Sequence, residues 1–288
     1  MRIVRKHKTS VLLCTIICCL FSITYPLENN KQKIIIVGAS SGIGRALAKH
    51  YATCDCEKSG CEIGLVGRRT RFLKSLQNEI PTKTYIKTID IADTKTATTK
   101  FEELIEEMGG IDICIITAGA YATFNPDDEW SSTKRLISVD VIGFANIVSI
   151  AMDHFETQES GHLVGITSID ALRGIAEAPG YSAAKAYESL YLEGWRNRMQ
   201  QKKLPIYVTE VMPGWVDVEH TTFSDLPGTF WVTSTQEAAQ QIYNAIKTGK
   251  KRVYVTKRWE LVSWFLKLAP DWLFNLLMQN KNKCDNIA

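Results

Sequence analysis

Tyr181 and Lys185 stand four residues apart in the stretch Tyr181-Ser-Ala-Ala-Lys185, whose alanines and downstream leucines read as helix. Side chains at i and i+4 share one helix face, so a phenol and an ammonium would lie side by side there. A tyrosine with an ordinary pKa near ~10 is a poor acid or base at neutral pH, but an adjacent lysine charge favours the phenolate and brings that pKa down. Such a pair can exchange a proton with an alcohol or a carbonyl. The spacing alone is common on solvated helix faces, so the elements that would hold the pair decide its meaning.

The first of these is Lys33 to Val37, a short apolar run of strand type, followed by Gly38-Ala-Ser40-Ser41-Gly42-Ile43-Gly44 and an amphipathic stretch from Arg45 to Tyr51. Strand, glycine turn and helix in that order let the backbone approach a pyrophosphate, with free N–H groups and partial positive charge at the helix start. Further strand-like runs cover Glu62 to Val66, Tyr85 to Ile89, Ile111 to Thr117, Gly161 to Ile166, Ile206 to Met212 and Arg252 to Thr256. Helical spacing lies between them: Phe101, Leu104, Ile105 and Met108 stop at Gly109-Gly110, Ser131 to His154 reads as one long helix, and Thr235 to Thr248 as another. This alternation predicts an α/β fold, a doubly wound parallel sheet in one domain over 31–256.

The spacing Gly-x-x-x-Gly-x-Gly, with Tyr181 and Lys185 downstream, resembles the compact branch of the short-chain dehydrogenase/reductase family over about residues 33 to 256. The resemblance implies a Rossmann-type domain that binds a nicotinamide dinucleotide on the turn Gly38, Ser40, Ser41, Gly42, Ile43 and Gly44. The family holds the adenosine ribose with a carboxylate at the end of the second strand. Gly67 stands there instead, followed by Arg68 and Arg69, whose planar guanidiniums suit a 2'-phosphate and favour NADP(H) over NAD(H). By the same resemblance Asp90 and Ile91 lie beside the adenine, Ala118-Gly119 beside the nicotinamide ribose, and Pro213, Gly214 and Val216 beside the nicotinamide.

Catalytic roles follow by the same route. Ser168, thirteen residues before Tyr181, would stabilise charge on the substrate oxygen, with Thr167 the less favoured occupant. Tyr181 would exchange the proton, and Lys185 would lower its pKa and bind the ribose. Two departures stand out: Ile116-Thr117 replaces a pair of asparagines that tie the central strands together, and Asp140 replaces the asparagine that supports a relay water. Asp140 could hold that water, but it would also raise the pKa of Lys185 and weaken its pull on Tyr181. Val218 replaces a frequent threonine, leaving a hydroxyl contact to Thr221 or Thr222. The region from Trp215 to Trp231, with Phe223, Leu226, Phe230 and Trp231, suggests an apolar substrate lid.

The chain has 288 residues and a net charge of +3, too small to argue for a nucleic-acid partner. Eight scattered cysteines do not form a disulfide framework, and Cys54 to Cys61 reads as a loop of reduced thiols with no defensible metal spacing. Arg2, Arg5, Lys6 and Lys8 precede an apolar run from Val11 to Tyr25, which marks 1–30 as an uncleaved membrane anchor. Fifteen residues give only about 22 Å of helix, short of the ~30 Å hydrocarbon core, so a dip into one leaflet with the domain on the cytosolic face is favoured over a span. The tail 257–288 carries Trp259, Leu261, Val262, Trp264, Phe265, Leu266, Leu268, Trp272, Leu273, Phe274, Leu276 and Leu277. With Lys257, Arg258 and Lys267 this favours a membrane surface, packing in a homodimer or homotetramer being the rival. The chain therefore reads as a membrane-associated oxidoreductase that transfers hydride between NADP(H) and a carbonyl or secondary alcohol of a small, apolar or lipid-like substrate. A nucleotide-binding sensor or scaffold with weak turnover is the alternative.

Overall fold

The computed structural model describes residues 31–54, 60–120, 129–219 and 229–276. The N-terminal apolar segment, most of the loop after Cys54, and Thr221, Thr222, Phe223, Leu226 and Leu277 lie outside the described residues.

Seven parallel strands form the main sheet: β1 (Gln32–Val37), β2 (Cys61–Gly67), β3 (Lys83–Thr88), β4 (Ile113–Ile116), β5 (Gly161–Ile166), β6 (Ile206–Pro213) and β9 (Arg252–Val255), ordered β3-β2-β1-β4-β5-β6-β9. Two residues of β7 (Val216–Asp217) pair with β8 (Thr233–Ser234) beside it. A parallel sheet is covered on both faces, and β4 and β5 are accordingly buried at every position. On one face α1 (Gly42–Cys54), α2 (Thr70–Glu79) and α7 (Thr235–Lys247) pack Leu47, Tyr51, Leu73, Leu76 and Ile242 against Ile34, Ile36 and Ile63. On the other, α3 (Thr94–Met108), α5 (Phe144–Gln158) and α6 (Pro179–Lys202) pack Phe101, Phe144, Phe155 and Leu192 against Ile35, Val37 and Leu163.

The chain leaves β1 toward β2 and β3 on one side, then crosses to β4 on the other. The crevice at the strand ends between β1 and β4 is where such a sheet receives a ligand. Local chemistry sets the boundaries around it. Asp93 caps α3 by accepting the Thr96 N–H, and Gly109 ends that helix in the left-handed region at φ 68°.

The long helix expected over Ser131 to His154 is present as the continuous run Glu129–Gln158, with a departure from α geometry inside it. Helix α4 (Glu129–Leu136) passes through a π-helical turn, Ile137–Gly143, into α5. Gly143 rests on the backbone of Ile91, where a Cβ would come within 2.6 Å of the carbonyl oxygen. The wider turn carries Asp140 into the interior, with no exposed surface. Although the run Glu129–Gln158 is long and apolar enough to cross a membrane, half of its most apolar window is buried inside the fold.

Cys61 is disulfide-bonded, which corrects the expectation of reduced thiols around it; spacing alone cannot tell a bonded thiol from a free one. Cys54 and Cys114 are free. The tail is divided in its burial. Helix α8 (Trp259–Leu268) buries Trp259 and Ser263, and Phe274 is buried beyond it. Arg173 donates to the carbonyls of Leu266 and Ala269 and stacks over Phe274. Leu261, Trp264, Leu268, Trp272 and Leu276 remain exposed.

Candidate active site

The glycine turn is built around Thr117. Gly38 has φ +99°, and a Cβ on it would come 2.4 Å from Thr117 Oγ1; one on Gly44 would meet Gly38 O and Thr117 Oγ1 at 2.5 Å each. Only glycine fits either position. Thr117 Oγ1 donates to Val37 O at 3.0 Å, so this hydroxyl ties β4 to β1 where the family's asparagine pair is missing. Gly42 opens α1, and its N–H donates to Glu219 Oε2 at 2.8 Å. A carboxylate of the chain's own thus sits where a helix N-terminus attracts anions, and a dinucleotide pyrophosphate fits the same donors.

At the adenosine end, Arg69 Nη2 donates to Ser40 Oγ at 3.1 Å and to Ser41 Oγ at 2.6 Å, while its guanidinium lies over Phe72. Arg68 is half-exposed, 3.8 Å from Asp90 Oδ2. Asp90 Oδ1 accepts the Ala92 N–H, and Ile91 is buried against the π-helical turn. The Arg69 guanidinium thus sits on Ser40 and Ser41, while that of Arg68 faces the Asp90 carboxylate.

Strand β5 delivers Thr167 and Ser168 at its end. Thr167 Oγ1 donates to Val211 O and Glu210 Oε1, so it points into the sheet. Ser168 Oγ accepts the Asp170 N–H at the start of a short 3-10 turn, and the hydroxyl also meets Tyr181. Helix α6 begins at Pro179, whose fixed φ suits the first helical turn, and projects Tyr181 and Lys185 from one face. Lys185 Nζ lies 5.7 Å from the centre of the Tyr181 ring.

Lys185 is clamped by two acids. Its Nζ donates to Glu188 Oε1 and Oε2 at 2.9 and 3.0 Å and lies 2.9 Å from Asp140 Oδ1. Asp140 Oδ2 accepts the Ala120 N–H at 2.8 Å. Gly119 closes the cluster, since a Cβ there would stand 2.8 Å from Asp140 Oδ1 and 3.1 Å from Lys185 Nζ. The expected approach of Gly119 to a ribose is therefore accompanied by a tight contact with this cluster.

The electrostatics depart from the sequence expectation. Burial pushes Tyr181 up to about 12; Lys185 opposes this, while Asp170 reinforces it. Burial acts to lower Lys185, but the charges of Glu188 and Asp140 outweigh it and raise the lysine above its ordinary value. The lysine therefore moderates the tyrosine without bringing it below an ordinary phenol, because Tyr181 is buried and the lysine's field is shared with two acids.

Around the far side of the crevice, Pro213 ends β6 and Gly214 N–H donates to Val255 O at 2.8 Å. Val216 is buried in β7. Trp259 lies against Gly214, stacks on Phe230 and meets Trp231 edge-on. The structure thus brings Ser168, Tyr181, Lys185 and Asp140 together. Asp170, Glu188 and Glu219 are additions that sequence reading passed over. Glu188 had a usable signal, because Tyr181, Lys185 and Glu188 fall at i, i+4 and i+7.

The short chain dehydrogenase family model matches residues 32–226. An uncharacterized oxidoreductase of Myxococcus xanthus (strain DK1622) is 28% identical over 252 residues, which cover 86% of this chain and 96% of the relative. One of Mycobacterium tuberculosis (strain ATCC 25618 / H37Rv) is 32% identical over 203 residues, 67% of this chain and 77% of the relative. A solved short-chain dehydrogenase from Sphingobium yanoikuyae, in complex with NADPH, has the same fold with a TM-score of 0.68 at 20% identity, covering 80% of this chain and 92% of that one.

Proposed function

The chain belongs to the short-chain dehydrogenase family, and from that premise we propose that it is an NADP(H)-dependent reductase or dehydrogenase acting on an apolar carbonyl or secondary alcohol. The observation that carries the reading is the buried pair of Tyr181 and Lys185 on one face of α6, with Ser168 in hydrogen-bond contact with the phenol. When bound, the nicotinamide supplies or accepts the hydride. Tyr181 Oη gives its proton to the carbonyl oxygen in reduction and takes it back in oxidation. Ser168 Oγ donates to that oxygen as charge develops on it. Lys185 acts on the phenol's proton equilibrium and would hold the ribose of a bound cofactor, and Asp140 fixes Lys185.

Cofactor choice follows from Arg68 and Arg69 at the end of β2, with no carboxylate at Gly67; the turn Gly38 to Gly44, Asp90, Ile91, Ala118, Gly119, Pro213, Gly214 and Val216 complete the cradle. The NADPH held by the Sphingobium neighbour agrees with this choice. The test is NADPH oxidation against a panel of apolar ketones and aldehydes, with Tyr181→Phe as control.

One observation favours the alternative of a weakly active NADP(H)-binding sensor: Tyr181 is held at about 12. Tight NADPH binding with no turnover on any carbonyl would select it. For domain organisation, we read 1–30 as the anchor, 31–256 as the nucleotide-binding domain and 257–288 as the tail. The exposed Leu261, Trp264, Leu268, Trp272 and Leu276 support contact with a membrane surface. Against the cytosolic side favoured from the sequence, the bonded Cys61 supports an oxidising compartment and an anchor that sends the domain across the membrane. Co-sedimentation with anionic vesicles, with and without Trp264→Ser and Trp272→Ser, tests the surface contact.

A further inference from the structure

Two carboxyls and one ammonium lie within a few ångströms of each other in a wholly buried site. Asp140 and Glu188 have no exposed surface, and Lys185 is 4% exposed. Among the described residues Lys185 is the one cation paired with either acid. If all three were ionised, the cluster would keep a net negative charge with no counterion, an arrangement that a buried site strongly disfavours. Two carboxyls that share a small buried space resolve this by keeping one proton between them.

The surroundings decide which acid keeps it. Asp140 Oδ2 is occupied by the Ala120 backbone N–H, which it accepts at 2.8 Å. Glu188 accepts from Lys185 Nζ through its two carboxyl oxygens, at 2.9 and 3.0 Å. Burial pushes Glu188 well above the ordinary carboxyl range; Lys185 opposes this, while the charge of Asp140 and a hydrogen bond to it add to the rise.

We propose that Glu188 is a positioning residue of this active site, a carboxylic acid that shares its proton with Asp140 and, with it, holds the Lys185 ammonium beside Tyr181. The proposal rests on the reductase reading for its purpose, but its chemistry does not depend on turnover. The groups that face the pair are Lys185 and Tyr181 from α6 and Asp140 from the π-helical turn, with Asp170 acting on Tyr181 from the 3-10 turn. With the proton in place the cluster is neutral and the lysine's field on Tyr181 is offset by one anion only. Loss of the proton adds a second negative charge next to Lys185, raises Tyr181 further and so makes the phenolate harder to form.

The test uses the full-length protein and infrared difference spectroscopy at neutral pH. The wild type should show the C=O stretch of a protonated carboxylic acid that shifts on deuteration. That band should vanish in Glu188→Gln, shift in Asp140→Asn and persist in Tyr181→Phe. Its absence from the wild type, or its survival in Glu188→Gln, overturns the proposal whatever the activity. In turnover, Glu188→Leu should lower kcat by about tenfold or more with little change in KM, and Glu188→Gln, which mimics the neutral acid, should recover it to within about threefold of wild type. The alkaline limb of the wild-type pH profile should also move in Glu188→Gln. Equal losses in Leu and Gln variants would overturn the positioning role. Turnover that survives Tyr181→Phe would instead defeat the reductase reading and leave the infrared result standing.

Discussion

Glu219 Oε2 accepts the Gly42 N–H at 2.8 Å across 177 residues of sequence. Glu219, two residues past β7, thereby closes on the turn that opens α1. A bound dinucleotide brings a pyrophosphate to the same helix N-terminus, so the two anions compete for one donor. Glu219→Gln, which removes the charge but keeps the shape, should tighten NADPH binding by about three- to tenfold in titration calorimetry. Unchanged or weaker binding would mean that the carboxylate does not stand in the cofactor's way.

Arg69 donates to Ser40 and Ser41, and Arg68, the residue before it, lies 3.8 Å from Asp90 Oδ2. Replacing both arginines with alanine should raise the Kd for NADPH by about tenfold or more and that for NADH much less, because only NADPH offers a 2'-phosphate to a guanidinium. Equal losses for the two cofactors would remove the basis for NADP preference.

The Trp259 indole closes on the α-carbon of Gly214, where an added Cβ would stand 2.0 Å from the ring. Gly214→Ala must push the indole and α8 away, at a cost of about 1–3 kcal/mol. The urea midpoint should fall accordingly. An unshifted midpoint would show that the tail does not dock through Trp259.

His162, on β5, is buried and paired with Thr209 Oγ1 at 2.7 Å, and burial lowers its pKa from 6.5 to about 4. The fold holds the neutral ring, so below pH 6.5 the unfolded chain binds more protons than the folded one. Stability from this residue is complete above the unfolded value and is lost as pH falls through the folded one, by about 3 kcal/mol in all. His162→Gln should flatten that part of the stability profile. The same slope in both proteins would assign the acid sensitivity elsewhere.

Much of this was legible in the sequence. The inner parallel strands announce themselves as apolar runs because both faces of the sheet are covered there, and β5 begins and ends at the predicted residues. The proximity of Tyr181 and Lys185 follows from helix periodicity alone. Three features were not legible, for different reasons. The π-helical turn around Asp140 keeps the apolar pattern of an ordinary helix and is set by the contact of Gly143 with Ile91. Glu219 reaches Gly42 only through tertiary folding. The rise of Tyr181 depends on burial, which no spacing reports, and on two acids, Asp170 and Glu188, from different elements.

The central claim is that Tyr181 exchanges the proton during hydride transfer. Full-length protein should oxidise NADPH in the presence of an apolar ketone or aldehyde, and Tyr181→Phe should abolish that turnover by about a hundredfold or more while still binding NADPH. Turnover that persists in Tyr181→Phe would contradict the account.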